Sequence, residues 1–199
     1  MKTLKISIIL FALIFSKSFA QATNLSAETI KPNSGIYLTA SDYKHNHLHL
    51  ASDRSAKNKF RLNDLFGGEK LTVSHEGKNY QFSKDSIYGY QDKDGTDYRF
   101  YKSHSSEYKI LESGKIVIYE RQQPGSKQTG FKPLVRYYFS NGANNNIYPL
   151  SLENLKKEFK GDKVFDFLDT NFRSDSDLIQ YDSYHYQYRI NYYLSKINY

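Results

Sequence analysis

Short apolar and aromatic runs, separated by glycine-containing turns at spacings of about ten residues, limit the fold of this sequence more than any other feature. Leu71–Val73 and Tyr80–Phe82 are two such runs, and the period of two within them is that of a strand with one buried face. Glu76-Gly77 lies between them, where glycine supplies the positive φ that a tight hairpin turn requires. Because no helical crossovers separate the runs, residues 34–148 are predicted to form an antiparallel β-rich body, an open barrel or a curled sheet.

The pattern becomes helical in residues 149–199. Ser151 is suited to cap a helix that ends near Phe159, since its hydroxyl can accept a hydrogen bond from the first helical turn. A second helix is predicted over Asp162–Phe172 and a third from Leu178 to about Ile197. The predicted fold class is therefore α+β, with two or three C-terminal helices after the β-rich body.

The predicted last helix carries two stripes when its residues are placed about 100° apart. One stripe is predicted to face the core and consists of Ile179, Tyr186, Ile190, Tyr193, Leu194 and Ile197. The other stripe consists of four tyrosines, Tyr181, Tyr184, Tyr188 and Tyr192. A tyrosine can bury its ring while its hydroxyl stays in water, so the second stripe either packs on the sheet or forms an exposed aromatic ladder that binds a ligand.

The N-terminus has the order of regions found in a secretory signal peptide. Lysines precede the apolar run Ile6–Phe15, and Ser18 and Ala20 are small residues at the positions that a signal peptidase reads. A helix of this length rises about 15 Å, half of the roughly 30 Å of a bilayer's hydrocarbon core, so a membrane anchor is disfavoured. Residues 1–20 are predicted to be a cleaved signal peptide, and the protein to be secreted or periplasmic.

Composition narrows the chemistry that the rest of the chain can perform. Residues 21–33 are polar and are predicted to be a linker, which leaves 34–199 as a single domain. The absence of cysteine excludes disulfides, cysteine-ligated zinc, iron–sulfur clusters and thiol catalysis. The formal net charge is +7, but some of the lysines lie in the predicted signal peptide and the other basic residues are scattered. We therefore expect no nucleic-acid partner, and no transmembrane span after signal cleavage.

Three alternating histidines, His45, His47 and His49, are the clearest candidate metal ligands. On a strand, all three would point from one face, and residues two apart would lie about 6.6–6.8 Å from each other. A His-x-His pair in this arrangement can share Zn²⁺ or Cu²⁺. The alternative interpretation is a row of exposed strand histidines that bind nothing.

Five segments of the chain, read together, resemble a known family. They are Gly35–Tyr43, Asp85–Tyr90, Asp97–Tyr101, Tyr137–Ser140 and Pro149–Lys156. The family consists of small exported bacterial proteins of uncharacterised activity, with a β-rich body and C-terminal helices. The resemblance extends over residues 35–193 and implies a bacterial envelope setting, but it provides neither a ligand nor catalytic residues.

The sequence shows no recognisable catalytic set. It contains neither a Gly-x-Ser-x-Gly elbow nor a His-Glu-x-x-His helix, so an enzyme is disfavoured. The leading hypothesis is an exported, non-catalytic binding or interaction protein of the bacterial periplasm or envelope, whose ligand is a glycan, an envelope protein or a lipid headgroup. Two alternatives stay open: a metal-binding protein that uses His45, His47 and His49, and a secreted hydrolase with a convergent site.

Overall fold

The alternating runs form antiparallel strands, as their period predicts. The computed structural model of the chain describes residues 34–52, 58–62, 68–101, 106–127 and 130–197. The predicted signal peptide and linker lie outside these ranges. In chain order, the strands of the body are β1 (Ser34–Tyr37), β2 (His49–Ser52), β3 (Lys59–Arg61), β4 (Lys70–His75), β5 (Lys78–Ser83), β6 (Gly89–Gln91), β7 (Asp97–Phe100), β8 (Glu107–Ser113), β9 (Val117–Gln123), β10 (Leu134–Ser140) and β11 (Tyr148–Pro149).

Eight of the described strands form one sheet, in the order β11-β10-β9-β8-β7-β6-β1-β2. Every pairing in it is antiparallel. The remaining strands of the body, β3, β4 and β5, form a separate antiparallel sheet. Since β2 and β11 are the two edges of the larger sheet, the described part of the body is open and is not closed into a barrel.

The turn between β4 and β5 shows why glycine recurs between the runs. His75 pairs with Lys78, so Glu76 and Gly77 alone make the connection. Their φ angles are 48° and 76°. Positive φ at both positions is the requirement of a type I′ turn, whose twist matches that of the flanking strands. The hairpin predicted from Glu76-Gly77 is therefore confirmed.

Most of the described helices follow the β body, and the α+β class is confirmed. In chain order, the helices and the last two strands are α1 (Ala40–Lys44), a 3-10 helix (Lys84–Ser86), α2 (Leu152–Glu158), α3 (Asp162–Asn171), α4 (Asp175–Leu178), β12 (Tyr181–Asp182), β13 (Gln187–Tyr188) and α5 (Arg189–Lys196). The predicted cap of α2 is also confirmed, because Ser151 Oγ accepts a hydrogen bond from Asn154 N at 3.2 Å.

The prediction of one continuous helix over Leu178–Ile197 is wrong. Helix α4 ends at Leu178, and the antiparallel hairpin β12–β13 separates it from α5. The carboxylate of Asp182 accepts hydrogen bonds from Tyr184 N at 2.9 Å and from His185 N at 3.1 Å. These bonds compete with helix formation, since a short acidic side chain offers the backbone donors a partner outside the helix.

Neighbouring residues along the larger sheet enter different hydrophobic clusters, because their side chains point to opposite faces. Phe139 of β10 packs with Leu155 of α2 and Leu194 of α5, and all three are fully buried. Tyr138, the preceding residue, packs instead with Tyr108. The C-terminal helices therefore cover one face of the sheet, and the opposite face is rich in tyrosine.

The smaller sheet contributes to a further cluster. Leu71 and Val73 of β4 are fully buried and pack with Ile36 of β1 and Phe100 of β7. The apolar positions of the alternating run at Leu71–Val73 thus bury against the larger sheet, as a strand with one buried face requires.

A buried amide attaches α5 to the turn between β8 and β9. Asn191 Oδ1 accepts from Ile116 N at 2.8 Å, and Asn191 Nδ2 donates to Ile116 O at 3.1 Å and to Glu112 Oε1 at 2.5 Å. Glu112 Oε2 accepts from Tyr188 N, the residue before the helix, at 2.7 Å. A Cβ on Gly114 would lie 2.8 Å from the Asn191 side chain, so this close approach requires glycine.

Candidate functional site

Helix α1 is five residues long, and its first turn is closed by a capping box. Asp42 N donates to Thr39 Oγ1 at 3.1 Å. In return, Asp42 Oδ2 accepts from Thr39 N at 2.8 Å and from Thr39 Oγ1 at 2.9 Å. The three-residue spacing of Thr39 and Asp42 is that of a capping box, with Asp in place of the more usual Glu. The consequence for the site is that the Asp42 carboxylate has a fixed orientation.

The other end of α1 folds back in a Schellman motif. Asn46 has a φ of 52°, in the left-handed region. Asn46 N donates to Tyr43 O at 3.1 Å and His47 N donates to Asp42 O at 2.8 Å, which is the bonding pattern of this motif. The motif usually brings two apolar side chains together, at the positions that Asp42 and His47 occupy here. In this chain it brings a carboxylate to an imidazole, with His47 Nδ1 3.2 Å from Asp42 Oδ1.

His49 completes a cluster of three side chains, which we call the Asp42 cluster: Asp42, His47 and His49. His49 opens β2, where it pairs with Ile36 of the neighbouring strand. Its Nε2 lies 3.6 Å from Asp42 Oδ2, and its ring centroid lies 4.6 Å from that of His47. One potential ligand atom from each of the three residues lies within 4.8 Å of the other two.

The Asp42 carboxylate is held in its charged form. Its desolvation acts to raise the pKa, but the hydrogen bonds from Thr39 and His47, and the proximity of His49, outweigh this effect and lower the pKa of Asp42 to about 2. The side chain of Asp42 is 17% exposed, whereas that of His47 is 65% exposed. The cluster is therefore an anionic oxygen at the base of two imidazoles that open to solvent.

The predicted row of three strand histidines is wrong. Only His49 lies in a strand, whereas His47 lies in the loop before it and His45 is the C-terminal cap of α1. His45 Nδ1 lies 2.8 Å from Ser41 O, within the helix itself. The structure thus brings His47 and His49 together and replaces His45 with Asp42. Thr39 and Asp42 indicate in the sequence that a helix begins here, and Asn46, a residue type that tolerates positive φ, indicates that it ends before His47.

A second candidate site is the hairpin β12–β13 with its connecting loop, which we call the tyrosine hairpin (residues 181–188). Tyr181 is 55% exposed, Tyr184 83% and Tyr186 82%. Tyr186 has a φ of 54°, a backbone conformation that bulky residues seldom adopt. Since three large aromatic side chains are turned to solvent within six residues, the hairpin is a concentrated aromatic surface.

Asp182 organises the loop of the tyrosine hairpin. In addition to the two backbone N–H groups of Tyr184 and His185, its carboxylate contacts His185 Nδ1 at 2.8 Å. These bonds to His185 and Tyr184 lower the pKa of Asp182, with the side-chain bond the strongest cause. The His185 ring stacks on Tyr192 of α5, with their centroids 3.8 Å apart. The loop is therefore tied to the last helix, and its tyrosines are presented from an ordered backbone.

The predicted four-tyrosine ladder is divided between these elements. Of its members only Tyr192 lies in a helix, Tyr181 and Tyr184 are exposed, and Tyr188 is half-buried, with its ring in edge contact with Tyr181. The prediction that these four tyrosines form a ladder along one helix face is therefore wrong. The placement of Tyr186 in the core is also wrong, because the positive φ of this residue directs it away from the helical register.

Sequence reasoning missed a buried arginine on the tyrosine-rich face of the sheet. Arg99 is 5% exposed; its Nη1 donates to Tyr119 Oη at 2.9 Å and its Nη2 to Asn145 O at 3.0 Å. Its guanidinium carbon lies 5.2 Å from the ring centroid of Tyr88 and 5.1 Å from that of Tyr101. Alternation along β7 places Arg99 on the face opposite Tyr98 and Phe100, which by itself predicts exposure, so no local pattern indicated its burial. We interpret this group as structural, since it ties β7 to β9 and to the loop after β10.

Comparisons with known proteins identify no relative. No protein-family model, no curated protein and no solved structure matches the chain. The resemblance to a family of exported bacterial proteins therefore stays a prediction. In the described part of the chain, no helix has the length and apolar character needed to cross a membrane.

Proposed function

We propose that this is an exported, non-catalytic binding protein that contacts a glycan through the tyrosine hairpin. The observation that carries the proposal is the exposure of Tyr184 and Tyr186, both more than 80% accessible on a loop with its own internal hydrogen bonds. An aromatic ring left in water forgoes the free energy of burial, which a bound ligand can recover. The export of the protein, to the periplasm or beyond, is part of the proposal and rests on the N-terminal sequence.

The order of the loop favours a binding role for these tyrosines. Tyrosine offers a large contact area at a small cost in side-chain entropy, which is why it dominates the contact loops of antibodies. Asp182 holds the loop backbone, and the stacking of His185 on Tyr192 holds the loop against α5. A ligand therefore meets a surface that is already ordered, and less free energy is spent on ordering it.

The chemistry of the hairpin suits a sugar better than a protein partner. The hot spots of protein interfaces lie in well-packed, desolvated pockets within a shielding rim. Here the most exposed tyrosines, Tyr184 and Tyr186, are more than 80% accessible and alternate along the chain with the polar residues Ser183, His185 and Gln187. A pyranose ring can stack its C–H face on tyrosine while its hydroxyls bond to the phenol oxygen and to nearby polar groups. Because polar residues interrupt the tyrosines, the hairpin offers no continuous apolar surface that a protein partner could cover.

Polysaccharide binding by variants of the hairpin tests this proposal. We would measure co-sedimentation of the purified protein with insoluble peptidoglycan and with chitin, and titration calorimetry with soluble fragments of whichever binds. Tyr184→Ala and Tyr186→Ala are each expected to weaken binding by about 5–30-fold, the equivalent of about 1–2 kcal/mol for a contact residue. The matched control is Phe131→Ala, which removes an aromatic side chain that is 71% exposed on a different loop.

Two results would contradict the proposal, one from the Phe131 control and one from the polysaccharides tested. Equal loss of binding in the Phe131 variant would show a nonspecific aromatic effect. Failure to bind any polysaccharide, together with capture of a protein partner that depends on Tyr184, would replace the glycan with a protein ligand. The hydrolase and the metal-binding alternatives both stay hypotheses.

A further inference from the structure

We propose that the Asp42 cluster binds a divalent transition-metal ion through one carboxylate and two imidazoles. The inference is independent of glycan binding, since Asp42, His47 and His49 are not part of the tyrosine hairpin. Two histidines and one carboxylate are a recurrent ligand set for zinc and other first-row ions, and they leave further coordination positions open to water or a ligand.

The distances in the cluster are close to those of a metal site. Zinc bonds of about 2.0–2.2 Å to nitrogen and oxygen place tetrahedral ligand atoms roughly 3.4 Å apart. Asp42 Oδ1 lies 3.2 Å from His47 Nδ1 and Asp42 Oδ2 lies 3.6 Å from His49 Nε2, so each imidazole is already near this distance from one of the two carboxylate oxygens. The largest separation among the three ligand atoms is within 4.8 Å. The side chains of His47 and His49 are 65% and 36% exposed, so both imidazoles have room to turn toward an ion.

The carboxylate is oriented from behind, as the ligands of metal sites usually are. Both hydrogen bonds from Thr39 go to Asp42 Oδ2, while Oδ1 faces His47. The residue before His47 is held as well, since Tyr37 Oη, which has one proton to donate, lies 3.2 Å from Asn46 Oδ1 and 3.0 Å from Asp97 Oδ1. The loop that carries His47 is thus attached to β1 and β7, and only the two imidazoles need to adjust when the ion binds.

The ligand set indicates which ions to expect. Imidazole nitrogen favours Zn²⁺ and Cu²⁺, whereas Mg²⁺ and Ca²⁺ prefer oxygen ligands. The general order of affinities places Cu²⁺ above Zn²⁺ for a site of nitrogen and oxygen. We therefore expect saturable binding of Zn²⁺ and tighter binding of Cu²⁺, with no saturable binding of Mg²⁺ at this cluster.

Replacement of single histidines distinguishes a site made by Asp42, His47 and His49 from one made by the three alternating histidines. The experiment is titration calorimetry of the purified protein, without a polyhistidine tag, with ZnCl₂. His47→Ala and His49→Ala are each expected to weaken Zn²⁺ binding at least about 10-fold, whereas His45→Ala is the matched control and is expected to leave the affinity within about twofold. His45 is an exposed histidine of the same segment that lies outside the cluster.

Two further measurements keep the outcome decisive. Far-UV circular dichroism checks that each variant is folded, and His49→Gln serves if the alanine variant is not. Cu²⁺ electron paramagnetic resonance is expected to show coupling to two nitrogens in the native protein and to one nitrogen in the His47 variant. The proposal is overturned if Zn²⁺ does not bind, if the His45 variant loses as much affinity as the His47 variant, or if the double variant of His47 and His49 binds as tightly as the native protein.

Discussion

Replacement of Asn191 by alanine is expected to destabilise the protein strongly, because Asn191 is the hydrogen-bond partner of buried groups far away in the chain. Its side chain accepts from Ile116 N and donates to Ile116 O and to a Glu112 carboxylate oxygen. Asn191 is 1% exposed and Ile116 is fully buried, so water has poor access to the groups that would lose their partner. The same amide positions α5 on the turn between β8 and β9.

The expected loss of stability in the Asn191→Ala variant follows from the individual hydrogen bonds that the side chain makes. A buried Ile116 N–H without an acceptor costs about 1–3 kcal/mol, and the bond to the Glu112 carboxylate contributes about 1.5–3 kcal/mol because it is charge-assisted. The loss at Ile116 O is smaller, since this oxygen also accepts from Gly114 N at 3.0 Å. Together these values predict a loss of about 3–5 kcal/mol in the free energy of unfolding. For a chain of this size, that lowers Tm by roughly 6–20 °C.

The assay is urea unfolding followed by circular dichroism and by tyrosine fluorescence, since the chain has no tryptophan. Ser195→Ala, at an exposed position of the same helix, is the control and is expected to change the free energy by less than about 0.5 kcal/mol. Asn191→Asp keeps the side-chain shape but replaces the donor with a charge beside Glu112, so we expect it to be at least as destabilising as alanine at neutral pH. A loss below about 1 kcal/mol for Asn191→Ala, or equal losses at positions 191 and 195, would refute the reasoning.

Two further predictions concern ionisation and local order. Burial raises the pKa of Tyr43 and of Tyr98 to about 12 and also raises that of Tyr88. Because these values lie above the unfolded value of about 10, the stability present below pH 10 is lost as the pH rises toward 12. In an ultraviolet titration, a fraction of the tyrosines should ionise only as the circular dichroism signal collapses; ionisation of all tyrosines in one step with the fold intact would contradict this. Asp182→Ala should accelerate amide hydrogen exchange at Tyr184 with little change in Tm, and unchanged exchange would show that the carboxylate does not order the loop.

Elements that depend on neighbours along the chain could be predicted from the sequence. The capping box of Thr39 and Asp42, the turn at Glu76-Gly77 and the cap of α2 at Ser151 each involve residues no more than three positions apart. Their free energies come from local hydrogen bonds and backbone conformations, which the residue types themselves favour. The strands were predictable for a related reason, because alternation along a run decides which side chains can be buried together.

The candidate site shows where this local reasoning fails. His47 and His49 were identified as possible ligands from their spacing, but the assumption of a strand included His45 and omitted Asp42. The contact between Asp42 and His47 arises from the Schellman motif, in which Asn46 takes a positive φ. A helix end followed by a strand start is a change of period within five residues, and a single period applied across it assigns side chains to the wrong face.

The sequence by itself determined the α+β class, most strand positions, the first two C-terminal helices and the turns, since all of these follow from periodicity and local hydrogen bonding. Only the tertiary structure decided the strand order and the burial of Arg99. The pairing of Asn191 with Ile116 is of the same kind, because the residues lie 75 positions apart. The physical reason is that a buried polar group must find a partner wherever the packing places one, and no pattern along the chain encodes that distance.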